Sequence, residues 1–376
     1  MKNLIMKKIR WVISIPVFSF LAASVVLACS LAGCGLGSGQ AALGGQNGQA
    51  SGSIRKTPTG DGVRIVTTIF PEYDWVREIL GDNPGNAEVT MLLDNGVDLH
   101  SYQPTAADIL KIATCDLFIY VGGESDEWVE DALEEATNQE MVVINLLETL
   151  GDRAKEEEIV EGMETEGEHD HADEERADGG QINGDRADVD RDHDAEEVEY
   201  DEHVWLSLRN TSLLCDAITD ALVQKDAANA DIYKANLERY KERLSALDAE
   251  YQSAVTAGAK KTVLFGDRFP FRYLTEDYGL SYYAAFVGCS AETEASFETI
   301  VFLANKADEL GLSAIMKIEN SDGRIAETIR NNTAKKNQQI LTLDSMQSAT
   351  SQDVAKGTTY LGIMENNLKV LKEALQ

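Results

Sequence analysis

Basic residues, cysteine and histidine are all scarce in this chain of 376 residues. It has 33 Lys and Arg against 65 Asp and Glu, which gives a formal net charge of −32. Such an excess of negative charge repels phosphate backbones and argues against a nucleic-acid partner. Because there are only five cysteines and five histidines, the position of each of these side chains is informative.

The N-terminal segment has the pattern of an export signal. Basic side chains occur within residues 2–10, an apolar run covers residues 11 to about 29, and a Leu-Ala-Gly-Cys sequence ends at Cys34. This sequence resembles the lipobox of bacterial lipoproteins, which predicts cleavage before Cys34 and a lipid on its thiol. A transmembrane anchor, or an ordinary signal with a coincidental cysteine, is the alternative. The Gly-, Ser- and Gln-rich residues 34–62 predict a flexible tether to the outer face of the cell membrane.

Apart from the lipidated Cys34, three cysteines remain after such cleavage, and an odd number implies no complete disulfide framework. Cys115 and Cys215 lie beside apolar residues and are predicted to be small buried side chains. Cys289 falls in a loop, where it could act as a soft ligand. Most loop cysteines do not, and Cys289 is not among the site residues that we expect.

From residue 63 onwards, β-branched runs alternate with amphipathic stretches, which predicts parallel βαβ units. Eight strands are expected, at residues 63–69, 88–93, 117–121, 141–144, 262–265, 282–286, 314–318 and 340–343. Between the two sets of four, apolar side chains recur every three or four residues from Tyr233 to Ala254, which predicts a helix over about 229–257. Such a helix is about 42 Å long. We interpret it as a strut between two lobes, and a coiled-coil partner surface is the alternative.

The predicted fold is therefore α/β, with two lobes that each contain a four-stranded, mainly parallel sheet flanked by helices. A long linking helix joins the lobes, and a cleft lies between them. The expected segments are a signal peptide (1–33), a tether (34–62), an N-terminal lobe (63–206) with a disordered acidic loop (151–200), linking helices (207–257) and a C-terminal lobe (258–376).

Residues 151–202 carry 23 acidic and five basic side chains, and so hold −18 of the net charge. They contain almost no large apolar residues, which predicts that they cannot bury enough surface to fold. His169, His171 and His193 lie in this run among acids, a composition typical of loose metal contact. The alternative is a solvated linker whose histidines are incidental.

The other two histidines, His100 and His203, each follow acidic residues at the edge of a folded segment. His100 lies beyond a strand, where ligands of parallel sheets bind, and Thr105 is a predicted N-cap for the next helix. Imidazole suits Zn²⁺, and Mn²⁺ when more oxygen ligands are present. The second lobe has no histidine, so further donors there are expected to be carboxylates.

Two carboxylates of the second lobe are the expected additional ligands. Asp267 and Glu319 each follow a predicted strand, and Asp322 is a weaker candidate. The expected metal ligands are therefore His100, His203, Asp267 and Glu319.

Three motifs resemble the metal-specific solute-binding lipoproteins of zinc and manganese ABC importers. They are Phe70-Pro71-Glu72-Tyr73-Asp74-Trp75, Leu99-His100-Ser101-Tyr102-Gln103-Pro104-Thr105 and Asp201-Glu202-His203-Val204-Trp205-Leu206. An acidic, histidine-containing insertion before the last motif is typical of the zinc-uptake branch. The resemblance covers about residues 63–376. It implies a monomeric, non-enzymatic protein that captures Zn²⁺, or less favourably Mn²⁺, in the cleft and delivers it to a permease in the cytoplasmic membrane.

One position departs from the family pattern. The family usually has a histidine or glutamate shortly before Tyr278-Gly279-Leu280, and the same spacing reaches Arg268 here. A guanidinium has no acceptor and cannot ligate a metal, so Asp267 is the expected substitute. This leaves the third ligand, and the choice between zinc and manganese, open.

Two alternative functions come from other classes. A surface-anchored metallohydrolase could use two histidines and a carboxylate to activate water. The sequence lacks a His-Glu-x-x-His motif, which weighs against this alternative. The second alternative function is that of an adhesin in which the metal is purely structural.

Overall fold

The first lobe is built on a parallel sheet with the order β2-β1-β3-β4. The computed structural model describes residues 62–164, 199–290 and 294–376. The first-lobe elements are β1 (Arg64–Thr67), α1 (Phe70–Leu80), β2 (Glu88–Met91), α2 (Ala106–Thr114), β3 (Leu117–Tyr120), α3 (Trp128–Glu134), β4 (Val142–Asn145) and α4 (Leu146–Leu150). The predicted signal peptide, Cys34 and the histidines His169, His171 and His193 lie outside the described residues.

The second lobe repeats this arrangement, and its parallel sheet has the order β6-β5-β7-β8. Two linking helices, α5 (Leu208–Lys225) and α6 (Ala230–Ala257), precede it. Its elements are β5 (Thr262–Phe269), α7 (Arg272–Tyr278), β6 (Ser281–Val287), α8 (Phe297–Leu310), β7 (Ala314–Ile318), α9 (Arg324–Asn332), β8 (Gln339–Leu343), α10 (Ser351–Ala355) and α11 (Tyr360–Ala374). The predicted fold is confirmed, although the short helices α4 and α10 were not expected.

The β1–α1 junction shows how the first motif works. Glu72 is buried, and its carboxylate accepts hydrogen bonds from the Thr68 amide at 2.8 Å and the Ile69 amide at 3.3 Å. Ile69 is the N-cap of α1, where a backbone amide has no partner within the helix, and a carboxylate also suits the positive end of the helix dipole. Helix α1 ends at Gly81, whose φ of +58° suits a residue without a Cβ.

Helix α6 contacts both lobes. It packs against α1 of the first lobe and against α7 and α11 of the second. Its apolar stripe is buried within the chain, which leaves nothing to support the coiled-coil alternative. The Tyr251 hydroxyl, for example, donates to the Met364 carbonyl of α11 at 2.6 Å. The predicted strut is thus confirmed, and both lobes belong to one compact unit, Thr59–Gln376.

Further hydrogen bonds join the lobes directly. The Tyr360 amide donates to buried Asp74 of α1 at 2.8 Å, and the Trp205 indole donates to the Ser345 carbonyl at 2.8 Å. Motions between the lobes must therefore break several buried contacts, which favours small displacements over a wide hinge opening.

The acidic run is partly ordered, which corrects the expectation that residues 151–200 are disordered throughout. The Lys155 amide donates to the Tyr273 hydroxyl at 2.8 Å, and the Glu164 amide donates to the Ala285 carbonyl of β6 at 3.0 Å. Glu156 and Tyr200 form an antiparallel bridge, so the two ends of the run lie side by side. Hydrogen bonds to the second lobe thus order the ends of the acidic run, and amino-acid composition alone does not reveal such contacts.

Cys115 and Cys215 are buried and free, in agreement with their sequence surroundings. None of the helices in the described ranges combines the length and the apolar character needed to cross a bilayer.

Candidate metal centre

His100 lies on a short turn, Leu99–Ser101, that follows β2. The carboxylate of Asp98 caps this turn by accepting from the His100 amide at 3.1 Å. Thr105 caps α2 in a reciprocal pair with Asp108, as predicted from the sequence. The two caps fix the backbone on either side of the histidine and so restrict where its ring can point.

His203 is completely buried at the start of the turn Val204–Leu206. Asp201 Oδ1 accepts from the His203 amide at 2.9 Å and lies 3.0 Å from His203 Nδ1. This contact places a proton on Nδ1 and leaves the Nε2 lone pair free, which is the arrangement found at histidines that bind metals.

The two rings meet across this site. His100 Nε2 lies 3.3 Å from His203 Nε2. His100 Nδ1 lies 2.7 Å from the Ser125 hydroxyl and 3.4 Å from Glu202 Oε2, so both outer nitrogens are engaged and both Nε2 atoms face inward. Two nitrogens bound to one tetrahedral Zn²⁺ at about 2.05 Å are themselves about 3.3 Å apart. The side chains present therefore fit a shared cation.

The electrostatic surroundings favour a positive ion. Burial, and then the neighbouring His203, lower the pKa of His100 to about 3, so the ring is neutral and able to ligate at physiological pH. Burial also raises the pKa of Glu202, whose Oε2 accepts no hydrogen bond and lies 3.4 Å from the His100 ring. Asp201 and Asp98 add acidic groups beside the rings, and Arg268 is the opposing base.

The structure does not bring Asp267 to the histidine pair. Strand β5 continues to Phe269 instead of ending at residue 265, so Asp267 lies inside the strand at a register shift. Its carboxylate accepts from the Arg268 amide at 2.9 Å and from the Ile318 amide at 3.3 Å. Asp267 thus bonds to the backbone of β5 and β7.

The Glu319 carboxylate also forms its hydrogen bonds with groups other than the two histidines. Its carboxylate accepts from the Ser345 amide at 2.6 Å, the Ser345 hydroxyl at 2.7 Å and the Gln347 amide at 3.1 Å. Burial, and then Asp344, raise the pKa of Glu319 to about 7. Asp322 forms an exposed ion pair with Arg324. Ligation by Asp267 or Glu319 therefore stays a prediction, and it requires these carboxylates to leave the partners they have here.

A third donor is present that the sequence argument set aside. Within the described ranges, one set of three His, Cys, Asp or Glu donor atoms lies within 4.8 Å of one another, and it comprises His100, His203 and Cys289. Cys289 follows β6, and its amide donates to Glu157 Oε1 at 3.3 Å. Burial, and then Glu202, Asp201 and Glu157, raise the pKa of its thiol. The available signal was its position in a loop directly after a strand of the second sheet.

Arg268 lies beside the same site. Its Nη2 donates to Asp98 Oδ2 at 2.6 Å, and its Nη1 donates to the Ser290 carbonyl at 3.3 Å. The guanidinium therefore links the His100 turn of the first lobe to the Cys289 loop of the second.

Two α/β lobes joined by a long helix, with donor groups from both lobes at their junction, define a two-lobed solute-binding protein. Residues 65–374 match the model of the family described as ZnuA, zinc-uptake complex component A, periplasmic, and the chain belongs to this family.

Two relatives agree with this assignment. The chain is 28% identical to the zinc-binding lipoprotein AdcA of Streptococcus pneumoniae serotype 4, over 83% of this chain and 55% of the relative. It is 28% identical to the high-affinity zinc uptake system protein ZnuA of Bacillus subtilis, over 84% of this chain and 88% of the relative. The chain thus spans about half the length of the AdcA relatives that it matches.

Among solved structures, the Zn(II)-bound ZnuA-like domain of Streptococcus pneumoniae AdcA matches with a TM-score of 0.61 and 24% identity. The match covers 84% of this chain and 99% of that domain, and it shows a shared fold.

Proposed function

We propose that this protein captures a divalent transition metal outside the cell and delivers it to the permease of an ABC importer. Zn²⁺ is the favoured cargo and Mn²⁺ the second. The observation that carries the proposal is the pair of inward-facing Nε2 atoms of His100 and His203, 3.3 Å apart. The zinc named in the relatives AdcA and ZnuA supports the choice of metal.

The binding step needs no catalysis. The two imidazoles replace water molecules of the cation, while Asp201 and the Ser125 hydroxyl hold the rings in the ligating tautomer. The family consists of transport components, and no specific observation favours a metallohydrolase or an adhesin here.

Attachment to the membrane completes the proposal. A lipid on Cys34 would hold the protein on the outer face of the cell membrane as a monomer, with residues 35–62 as the tether. Cys34→Ala should release the protein into the medium, whereas an unchanged membrane fraction would contradict this part of the proposal. His169, His171 and His193 are proposed to make loose, exchangeable metal contacts.

Calorimetric titration of the full chain with ZnCl₂ at pH 7.5 tests the site. His100→Ala and His203→Ala should each weaken the tight binding event by at least about 100-fold, since even supporting partners of metal ligands are worth 10- to 100-fold. His193→Ala is the matched control and should leave that event unchanged. Wild-type affinity in both site variants would refute the proposal.

A further inference from the structure

The proposed function identifies two nitrogen donors, both on the first-lobe side of the cleft, and leaves the contribution of the second lobe open. We propose that the Cys289 sulfur is the third ligand of the captured cation. This inference rests on the proposed function. It adds a residue that the resemblance does not supply and that makes the site selective for zinc.

Geometry is the first argument. The sulfur of Cys289 and the facing nitrogens of His100 and His203 all lie within 4.8 Å of one another. A tetrahedral Zn²⁺ with bonds of about 2.0–2.1 Å to nitrogen and 2.3 Å to sulfur requires donors at about 3.3–3.6 Å from each other. The remaining gap is small enough for side-chain rotation to close it.

The strand pairing explains why Cys289 can occupy this place. The resemblance implies a usual third ligand at the position of Arg268, on β5. Strand β6 pairs with β5 in parallel, with Arg268 opposite Phe286 and Phe269 opposite Val287. Cys289 lies just beyond this pairing, so its loop reaches the site from the neighbouring strand. A donor lost from one strand is thus replaced by a donor from the next.

The loop itself is shaped for close approach. A Cβ on Gly288 would lie 3.0 Å from His203 Cε1 and 3.0 Å from the Phe269 carbonyl oxygen, so any larger residue would crowd the ring and the strand at this position. The Cys289 amide bonds to Glu157, and the Ser290 carbonyl accepts from Arg268. Two anchors from different segments therefore hold the thiol next to the His203 ring.

Metal binding by Cys289 releases one proton. The S–H bond of Cys289 breaks, its electron pair forms the metal–sulfur bond, and the proton leaves to the buffer, because a coordinating thiol is deprotonated outright. Two imidazoles and a thiolate leave one tetrahedral position for water, which suits a cation that must later be handed on. Thiolate is a soft ligand that selects Zn²⁺ over Mn²⁺.

Cobalt substitution tests the inference directly. The full chain loaded with Co²⁺ should show an intense near-ultraviolet thiolate-to-cobalt charge-transfer band. Cys289→Ser should lose this band and Cys115→Ser should keep it, since the Cys115 sulfur contacts Met141 away from the site. Cobalt binding without the band in the wild type would overturn the inference, and no variant has to fold for that result.

Affinity and alkylation provide independent readouts. Cys289→Ser should weaken Zn²⁺ binding roughly 100-fold and Mn²⁺ binding much less, so that the ratio of the two affinities falls. Zn²⁺ should protect Cys289 from iodoacetamide in the wild type but not in the His100→Ala/His203→Ala double variant, measured by peptide mass spectrometry. If the histidine variants lose zinc while Cys289→Ser binds it like the wild type, the inference fails and the proposed function stands. If neither histidine matters, the proposed function fails.

Discussion

Arg268 Nη2 and Asp98 Oδ2 lie 2.6 Å apart and join the second sheet to the turn that carries His100. Although burial acts to raise it, the pKa of Asp98 is held below its usual range by the guanidinium and by His100. The pair is mostly buried, so the charges are screened less than in a surface ion pair. At the position where the resemblance implies a metal ligand, this chain therefore has an ion pair between the lobes.

Loss of this ion pair should speed metal release. Arg268→Ala should raise the Zn²⁺ dissociation rate about 10- to 100-fold, because a hydrogen bond to a charged group is worth about 1.5–3 kcal/mol. Stopped-flow transfer of zinc to a chelator measures this rate. Arg324→Ala, which breaks the exposed pair with Asp322, is the matched control and should change nothing. Identical rates in both variants would show that Arg268 has no role in retention.

Substitution of Gly288 should disturb the site in proportion to side-chain size. Gly288→Ala places a Cβ against His203 and the Phe269 carbonyl, and Gly288→Val adds two more methyl groups. We expect Zn²⁺ affinity to fall about tenfold for alanine and further for valine, within the 10- to 100-fold range typical of groups that position ligands. Calorimetry measures the affinities, and a circular-dichroism melt verifies that both variants fold. An alanine variant with wild-type affinity would contradict close packing of this loop on the ring.

Asp74→Asn should stabilise the protein at alkaline pH. Burial raises the pKa of Asp74 to about 6, Glu78 adds to the rise, and the Tyr360 amide, Arg77 and Arg243 oppose it. A carboxyl with a raised pKa in the folded state stabilises below its unfolded pKa, and this contribution disappears as pH rises through about 6. Asparagine keeps an acceptor for the amide and removes the buried charge.

Urea unfolding of Asp74→Asn measures the effect. The free energy of unfolding should exceed the wild-type value by up to about 3 kcal/mol at pH 8 and approach it near pH 4. Asp220→Asn, at an exposed position of α5, is the control. A gain of equal size at both pH values would point to a cause other than the titration of Asp74.

Two deletions in the acidic run should have different effects. Removal of residues 165–198 leaves the anchored ends in place and should slow zinc loading while the equilibrium affinity stays within about twofold, because exposed acids mainly raise association rates. Removal of residues 155–198 also takes away the contacts of Lys155 and Glu157 with the second lobe and beside Cys289. That variant should lose both stability and affinity. Stopped-flow loading and calorimetry separate the two cases, and a large affinity loss in the shorter deletion would contradict an accessory role for the loop.

Local sequence patterns predict the bounds of several helices and strands. The long helix was expected from about residue 229 and begins at Ala230, and the predicted strand at residues 314–318 is observed as Ala314–Ile318. The approach of His100 to His203 agrees with the resemblance of their two motifs to one metal-binding family, and His100 also lies beyond a strand, where ligands of parallel sheets bind.

Other features depend on tertiary contacts that no local pattern encodes. Strand β5 continues past Gly266 because a residue without a Cβ fits against the Ala326 backbone there. Asp267 therefore lies inside the sheet. The proximity of Cys289 to the histidines depends on the pairing of β5 with β6, and its position in a loop after a strand is the one local sign of it. Likewise, residues 151–164 look too polar to order, and it is the second lobe that orders them.

The depth of the two imidazoles differs, and this sets an order of events in the proposed site. The His100 side chain is 10% exposed, whereas that of His203 is fully enclosed. An arriving cation therefore encounters the shallower ring first and reaches the deeper one only after shedding most of its hydration. Release of the cation would follow the reverse order. A permease that docks over the cleft would then remove the cation from His100 first, while His203 is still bound to it.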